Sequence, residues 1–118
     1  MQYLLLIYDN EKQFETMAKD ELGAFMTAYD TFTADLAKSG HMVGANRLHN
    51  IDRATTVRIR EGKQQITDGP FAETREQLGG YYLIDAKNLD EATAIAARIP
   101  SAKTGSIEIR PIWDMEKY

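Results

Sequence analysis

Near the start of the chain, Tyr3-Leu4-Leu5-Leu6-Ile7-Tyr8 form an uninterrupted apolar run, closed by polar Asp9-Asn10-Glu11-Lys12. The run has the length of a strand and falls far short of the ~20 residues that a membrane-spanning helix needs. Its aromatic and branched side chains favour extended backbone. Successive side chains of a strand point to opposite faces, so apolarity without alternation asks for cover on both sides of the sheet. Helices can cover one face of a small sheet. The second face needs another cover, such as a second copy of the chain, and a homodimer with sheet-to-sheet association is the expectation.

The period then changes. Leu22, Phe25, Met26, Tyr29, Phe32 and Leu36 recur at helical spacing between Asp20 and Ser39, one apolar stripe of an amphipathic helix. Asp20 and Glu21 suit its positive end, Lys38 its negative end, and Gly40 supplies a left-handed cap. A second strand is expected over His41 to Leu48. Thr55 to Arg60 and Lys63 to Thr67 flank Glu61-Gly62, a two-residue hairpin signal that sets Val57 opposite Ile66 and Ile59 opposite Gln64. Thr56, Arg58, Arg60 and Gln65 then line the other side. Ala72 to Gln77 could form a short helical turn, and Leu78 to Ala86 reads as a strand with Gly79-Gly80 inside it. Such a pair marks a bulge or a close backbone approach, with approach to a facing subunit favoured over approach to a ligand. Asn88 and Glu91 form a capping-box variant ahead of Ala92, Ile95, Ala96 and Ile99, and Pro100 stops that helix. Gly105 to Trp113 alternates as the last strand. The order β-α-β, hairpin, β-α-β describes one α+β domain over residues 1–118: a ferredoxin-like βαββαβ sandwich with an inserted hairpin.

Composition narrows the function classes. Of 118 residues, 43% are apolar and 27% charged, values of an ordinary globular domain, and the net charge of −4 argues against phosphate-backbone binding. The absence of cysteine excludes a thiolate nucleophile and a Cys-based metal site. The two histidines, His41 and His49, lack metal-ligand spacing. Neither a basic leader nor a membrane segment is evident, so a cytoplasmic location is the default. No phosphate loop or dinucleotide fingerprint is present, and no cofactor or metal is expected. Charge is uneven: residues 1–40 carry a net −4, 41–63 a net +3 and 64–118 a net −3. The basic middle segment could attract an anionic small molecule, with Arg47 as the clamp.

The stretch Asp68-Gly69-Pro70-Phe71-Ala72-Glu73-Thr74, followed by Glu76-Gln77-Leu78-Gly79-Gly80-Tyr81-Tyr82, resembles the signature of the DGPF branch of the YCII-related family. Other marks run along the chain: Met1 to Tyr8, Ala28-Tyr29 and Phe32, Ala54 to Arg58, Arg98-Ile99-Pro100 and Glu108 to Pro111. The resemblance implies a dimeric α/β barrel in which two ferredoxin-like sheets pack face to face. Its relatives by fold include isomerases, monooxygenases and dehalogenase-like proteins, and fold kinship does not transfer chemistry. Some members of the branch are linked by genome context to alternative sigma factors. A non-catalytic dimeric regulatory module is therefore the alternative to a small-molecule binder or enzyme. Other YCII-related members pair a first-helix histidine with an aspartate. The matching position here holds Tyr29.

Two readings of Asp68 stand side by side. Asp68-Gly69-Pro70 is good turn chemistry by itself, with Asp capping its own backbone and Gly taking positive φ. The same residues also describe a carboxylate at a strand end, stiffened by Gly69 and Pro70 and walled by Phe71, fit for acid–base work in a cleft between sheet and helices. His49 and Tyr29 are its candidate partners in proton transfer. Glu73 is a candidate to close the mouth of the pocket. Only one of Tyr81 and Tyr82 can face the cavity, and Tyr81 is the one assigned to the ligand.

Overall fold

The computed structural model describes residues 1–117. In it the apolar run is β1, Gln2–Asp9, the strand between two others. A short helix α1, Gln13–Thr16, and a long helix α2, Lys19–Lys38, lead to β2, Met42–Arg47. The hairpin strands are β3, Thr55–Arg60, and β4, Lys63–Asp68. Then come β5, Gln77–Asp85, α3, Leu89–Ala97, and β6, Ser106–Pro111. Four strands form one sheet in the order β2-β5-β1-β6, and β3-β4 form a separate two-stranded sheet. β1 is antiparallel to β5 and to β6. Each helical crossover thus joins two strands with a third between them, the ferredoxin-like βαββαβ arrangement with the hairpin inserted after β2.

Alternation on β1 divides the sheet. Tyr3, Leu5, Ile7 and Asp9 are buried beneath the helices, whereas Leu4, Leu6 and Tyr8 are half-buried on the opposite face. Tyr81 and Leu83 of β5 share that second face and are also half-buried. On the helical side, Phe32 and Leu36 of α2 and Ala92, Ile95 and Ala96 of α3 join β1, Tyr82 and Ile84 in the core. Phe32 meets the Tyr82 ring edge-on, with centroids 5.1 Å apart. The rest of the α2 stripe behaves differently: Leu22, Phe25 and Tyr29 are only partly buried.

Local signals act as expected at the caps. Gly40 takes φ +80° after α2, and the Asn88 side chain accepts a hydrogen bond from the Glu91 N–H at 2.9 Å. The Glu91 carboxylate reaches back one residue further than in a regular capping box, to the Lys87 N–H. One expectation is corrected: residues 72–76 form bends and irregular backbone rather than a helical turn. The close approach expected of Gly79-Gly80 is found at Gly80, within the chain. A Cβ on Gly80 would stand 2.8 Å from the Asn46 carbonyl oxygen of β2. Gly79 is the extra residue of a bulge opposite Ile7 and Tyr8.

The hairpin register pairs Val57 with Ile66 and Ile59 with Gln64, as the turn requires. Glu61 at φ +54° and Gly62 at φ +75° both occupy left-handed backbone, the requirement of a type I′ turn. Gly62→Val is expected to cost about 1–2 kcal/mol through backbone strain, and Glu61→Asn to raise the melting temperature because Asn tolerates that region. Thermal unfolding followed by circular dichroism checks both, and an unchanged midpoint for Gly62→Val would contradict the turn type.

Candidate functional site

The front half of the α2 stripe fails to reach the core because a cavity of about 330 Å³ lies beneath it. This volume falls at the lower end of the ~300–1,000 Å³ range of small-molecule sites. Phe14, Phe25, Tyr29 and Tyr82 give it aromatic walls, while Arg47 and His49 stand where β2 runs out at the mouth. Phe25 packs against both Phe14 and Tyr29, each with centroids 5.3 Å apart, so the wall is continuous from α1 to the middle of α2.

A polar network lies at the floor of this apolar chamber. The Tyr29 hydroxyl donates to Ser101 Oγ at 2.6 Å, and Thr33 and Tyr82 share a hydrogen bond of 2.7 Å between their hydroxyls. Asp9, only 6% exposed, is the charged group beside them. Its Oδ1 accepts from the Asn10 N–H at 3.0 Å and from Gln13 Nε2 at 2.5 Å, and its Oδ2 from Thr104 Oγ1 at 2.8 Å. Three donors satisfy a carboxylate that burial would otherwise penalise by several kcal/mol. The chain keeps Thr104 there through Gly105: a Cβ at that position would lie 2.0 Å from the Tyr8 carbonyl oxygen. Asp9 thus joins the end of β1, α1 and the loop entering β6.

Burial is the main cause that pushes the Tyr29 hydroxyl above its ordinary value, opposed by its hydrogen bonds to Ser101 and reinforced by the charge of Asp9. Tyr82 is raised too, again chiefly by burial. Both phenols are therefore neutral at ordinary pH.

Of the sequence-derived candidates, Tyr29, Arg47, His49 and Tyr81 come together around this cavity. Tyr82 points to the core side of β5, and Tyr81 reaches the rim from the opposite face, where its hydroxyl accepts from Asn46 Nδ2 at 2.7 Å. Asp68, Gly69, Pro70, Phe71 and Glu73 do not line it. Asp68 is exposed at the end of β4, and Phe71 is 78% exposed. Gly69, at φ +97°, donates its N–H to the Ala54 carbonyl at 2.7 Å and accepts from Thr56 Oγ1 at 2.8 Å. These bonds close the base of the hairpin. Sequence reading missed Asp9 and Ser101. Asp9 ends an apolar strand and looks like a boundary residue, and its burial follows only from pairing across 95 residues to Thr104. Among the described residues, no group of three or more His, Asp or Glu side chains is placed to hold a metal, and no helix is long and apolar enough to cross a membrane.

The raised phenols have a measurable consequence. A tyrosine whose folded value exceeds the unfolded 10.0 contributes stability that is complete below pH 10 and is lost as pH rises through the folded value. In a tyrosinate absorbance titration, Tyr29 and Tyr82 should ionise last. Tyr29→Phe should remove part of that late step, and a loss from the early step instead would place Tyr29 in solvent.

Comparisons with known proteins agree with this architecture. Residues 1–116 match the model of the YCII-related domain. An uncharacterised protein of Rhizobium meliloti (strain 1021) is 37% identical over 114 residues, covering 95% of this chain and 92% of the relative. Among solved structures, the 5-chloro-2-hydroxyhydroquinone dehydrochlorinase of Burkholderia phenoliruptrix AC1100, in complex with 2,5-dihydroxybenzoquinone, superposes with a TM-score of 0.53. At 12% identity it covers 99% of this chain and 98% of its own, a likeness of fold. The family match over nearly the full length, the close relative and the shared fold together make this chain a member of the YCII-related family.

Proposed function

We propose that the chain binds a small, oxygen-bearing cyclic molecule in the cavity between α2 and the sheet, and acts on it by proton transfer. The observation that supports this reading is the pairing of aromatic walls with a buried polar floor. A purely structural void would be filled or lined by apolar groups alone. The ring lies against Phe25, Tyr29 and Tyr82. Its inner hydroxyl donates to the Tyr29 oxygen, whose own proton goes to Ser101 Oγ, and Arg47 at the mouth holds an anionic substituent. His49, beside Arg47 at the mouth, is the side chain placed to take or give the ligand's proton. In this reading the buried carboxylate of the site is Asp9, which adds to the burial that keeps Tyr29 neutral, and Asp68 serves the hairpin.

Calorimetric titration with benzoate, catechol and 2,5-dihydroxybenzoquinone tests the proposal. At least one should bind saturably. Arg47→Ala should weaken an anionic ring by about 1.5–3 kcal/mol, the range for a hydrogen bond to a charged group. Tyr29→Phe should weaken all ring ligands less, by about 1 kcal/mol. A regulatory module without a ligand would bind none of them at millimolar concentration, and that result would overturn the reading.

The same family membership supports a homodimer through the second face of the sheet. Leu4, Leu6, Tyr8, Tyr81 and Leu83 have no helix over them and stay half-buried, an apolar patch of the kind that marks an interface. Light scattering at micromolar concentration should return twice the chain mass, and Leu6→Arg should return the mass of one chain with the fold retained. A monomeric wild type would overturn this assembly.

A further inference from the structure

Outside the mouth of the cavity lies a more open hollow of about 510 Å³, lined by Arg47, Leu48, His49, Asn50, Asp52 and Arg53. The first four of these also line the inner cavity, so the two spaces share one rim. Their chemistry differs. Aromatic rings wall the inner space, whereas Leu48 is the one apolar residue of the outer. The loop that builds the hollow leaves β2 and enters a single turn of 3₁₀ helix, Ile51–Arg53. It is fixed from three sides. The Leu48 N–H donates to the Gly79 carbonyl of β5 at 2.9 Å, and the Arg53 N–H to the Asn50 carbonyl at 3.0 Å. The Ile51 N–H donates to Glu11 Oε2 at 3.2 Å, and Glu11 is held in turn by its own N–H on Gln77 Oε1 at 3.1 Å. The backbone that carries both arginines is therefore pinned to β5 and to the segment after β1.

We infer that this hollow is an outer subsite of the ring-binding cavity. It takes a carboxylate carried on a short flexible arm, so the ligand class is an aryl-alkanoate rather than a ring carboxylate. Charge selects the group. Among the described residues, neither Arg47 nor Arg53 forms an ion pair. Asp52 is the one acid lining the hollow, so two arginines and one aspartate leave a net charge of +1 with His49 neutral. A single carboxylate matches that charge, and a doubly charged phosphate would exceed it. Glu11, the acid on the cavity side of the rim, already spends its carboxylate on the Ile51 N–H. Solvation selects the position. A carboxylate drawn into the aromatic chamber would lose its water, whereas in the open hollow it stays partly hydrated and meets guanidinium donors. Size leaves room for both parts. A cavity of about 150 Å³ holds benzene, so the 330 Å³ inside the mouth takes a substituted ring, and the arm crosses the shared rim to reach Arg53. The inference rests on the ring-binding reading above and adds the acidic arm to it.

Calorimetric titration of the full chain with para-hydroxybenzoate, para-hydroxyphenylacetate and para-hydroxyphenylpropanoate tests the arm, because the three share a ring and differ in the reach of the carboxylate. The phenylpropanoate should bind about tenfold more tightly than the benzoate, and added salt should shrink that preference. Arg53→Gln should abolish the preference while leaving the benzoate as it was. Arg53→Lys should keep most of it, a contrast that a merely structural role would not give, and Arg53 is exposed, so circular dichroism should show the fold retained in both. Asp52→Asn, which removes the opposing charge, should tighten the phenylpropanoate alone. A benzoate that binds with no gain for the longer acids would overturn the outer subsite and leave the ring site standing. So would an Arg53→Gln variant that weakens all three acids alike. Failure of all three to bind at millimolar concentration would overturn the ring-binding reading, and the subsite with it.

Discussion

β1 is the strand on which everything else is hung. It lies between β5 and β6 with antiparallel ladders on both sides, so it has no free edge and no freedom of register. Its inner face brings Tyr3, Leu5 and Ile7 under the helices. Its outer face holds Leu4, Leu6 and Tyr8 half-covered, and its end delivers Asp9 to the floor of the cavity. A one-residue slip would exchange the two faces and draw the Asp9 carboxylate away from Thr104 and Gln13. Core, cavity and outer surface are therefore consequences of one register.

The cavity exists because α2 is longer than the surface available to pack it. Toward its C-terminal half, Phe32 and Leu36 find Tyr82, Ile84 and the α3 residues, and the guanidinium of Arg98 lies 5.6 Å from the Phe32 ring centre. Toward its N-terminal half the sheet offers Ala45, Gly79 and Gly80, side chains too small to meet Phe25 and Tyr29. A bulge in β5 at Gly79 bends that strand beside the cavity. Small residues and irregular ladders in a sheet opposite large aromatics on a helix leave space by construction.

Polarity is graded across that space. The inner end holds a buried carboxylate with three donors and two phenols kept neutral by burial. The outer end holds a guanidinium and an imidazole. A ligand with an oxygen at one end and a negative charge at the other would match both ends, and a wholly apolar one would leave Arg47 and Tyr29 without gain.

How much was legible in the residues follows from the range of each interaction. The helix over Lys19–Lys38, its Gly40 cap, the Asn88 cap and the I′ hairpin with its register depend on neighbours a few positions apart, and spacing alone determined them. So did the two-faced apolarity of β1 and, through it, the α+β order. The family signature at Asp68 to Tyr82 was equally plain, yet its meaning for the site was not. Gly69, between Asp68 and Pro70, bonds locally to Ala54 and Thr56, and turn chemistry and site chemistry use the same residue types. Only the tertiary structure decided that Asp9, not Asp68, stands inside the cavity, because that placement depends on Thr104 across 95 residues. Tertiary packing likewise decided which half of the α2 stripe became core and which became wall. Helical periodicity marks the side a helix buries, and the size of the residues it meets on other strands determines whether that side closes on them or leaves room for a ligand.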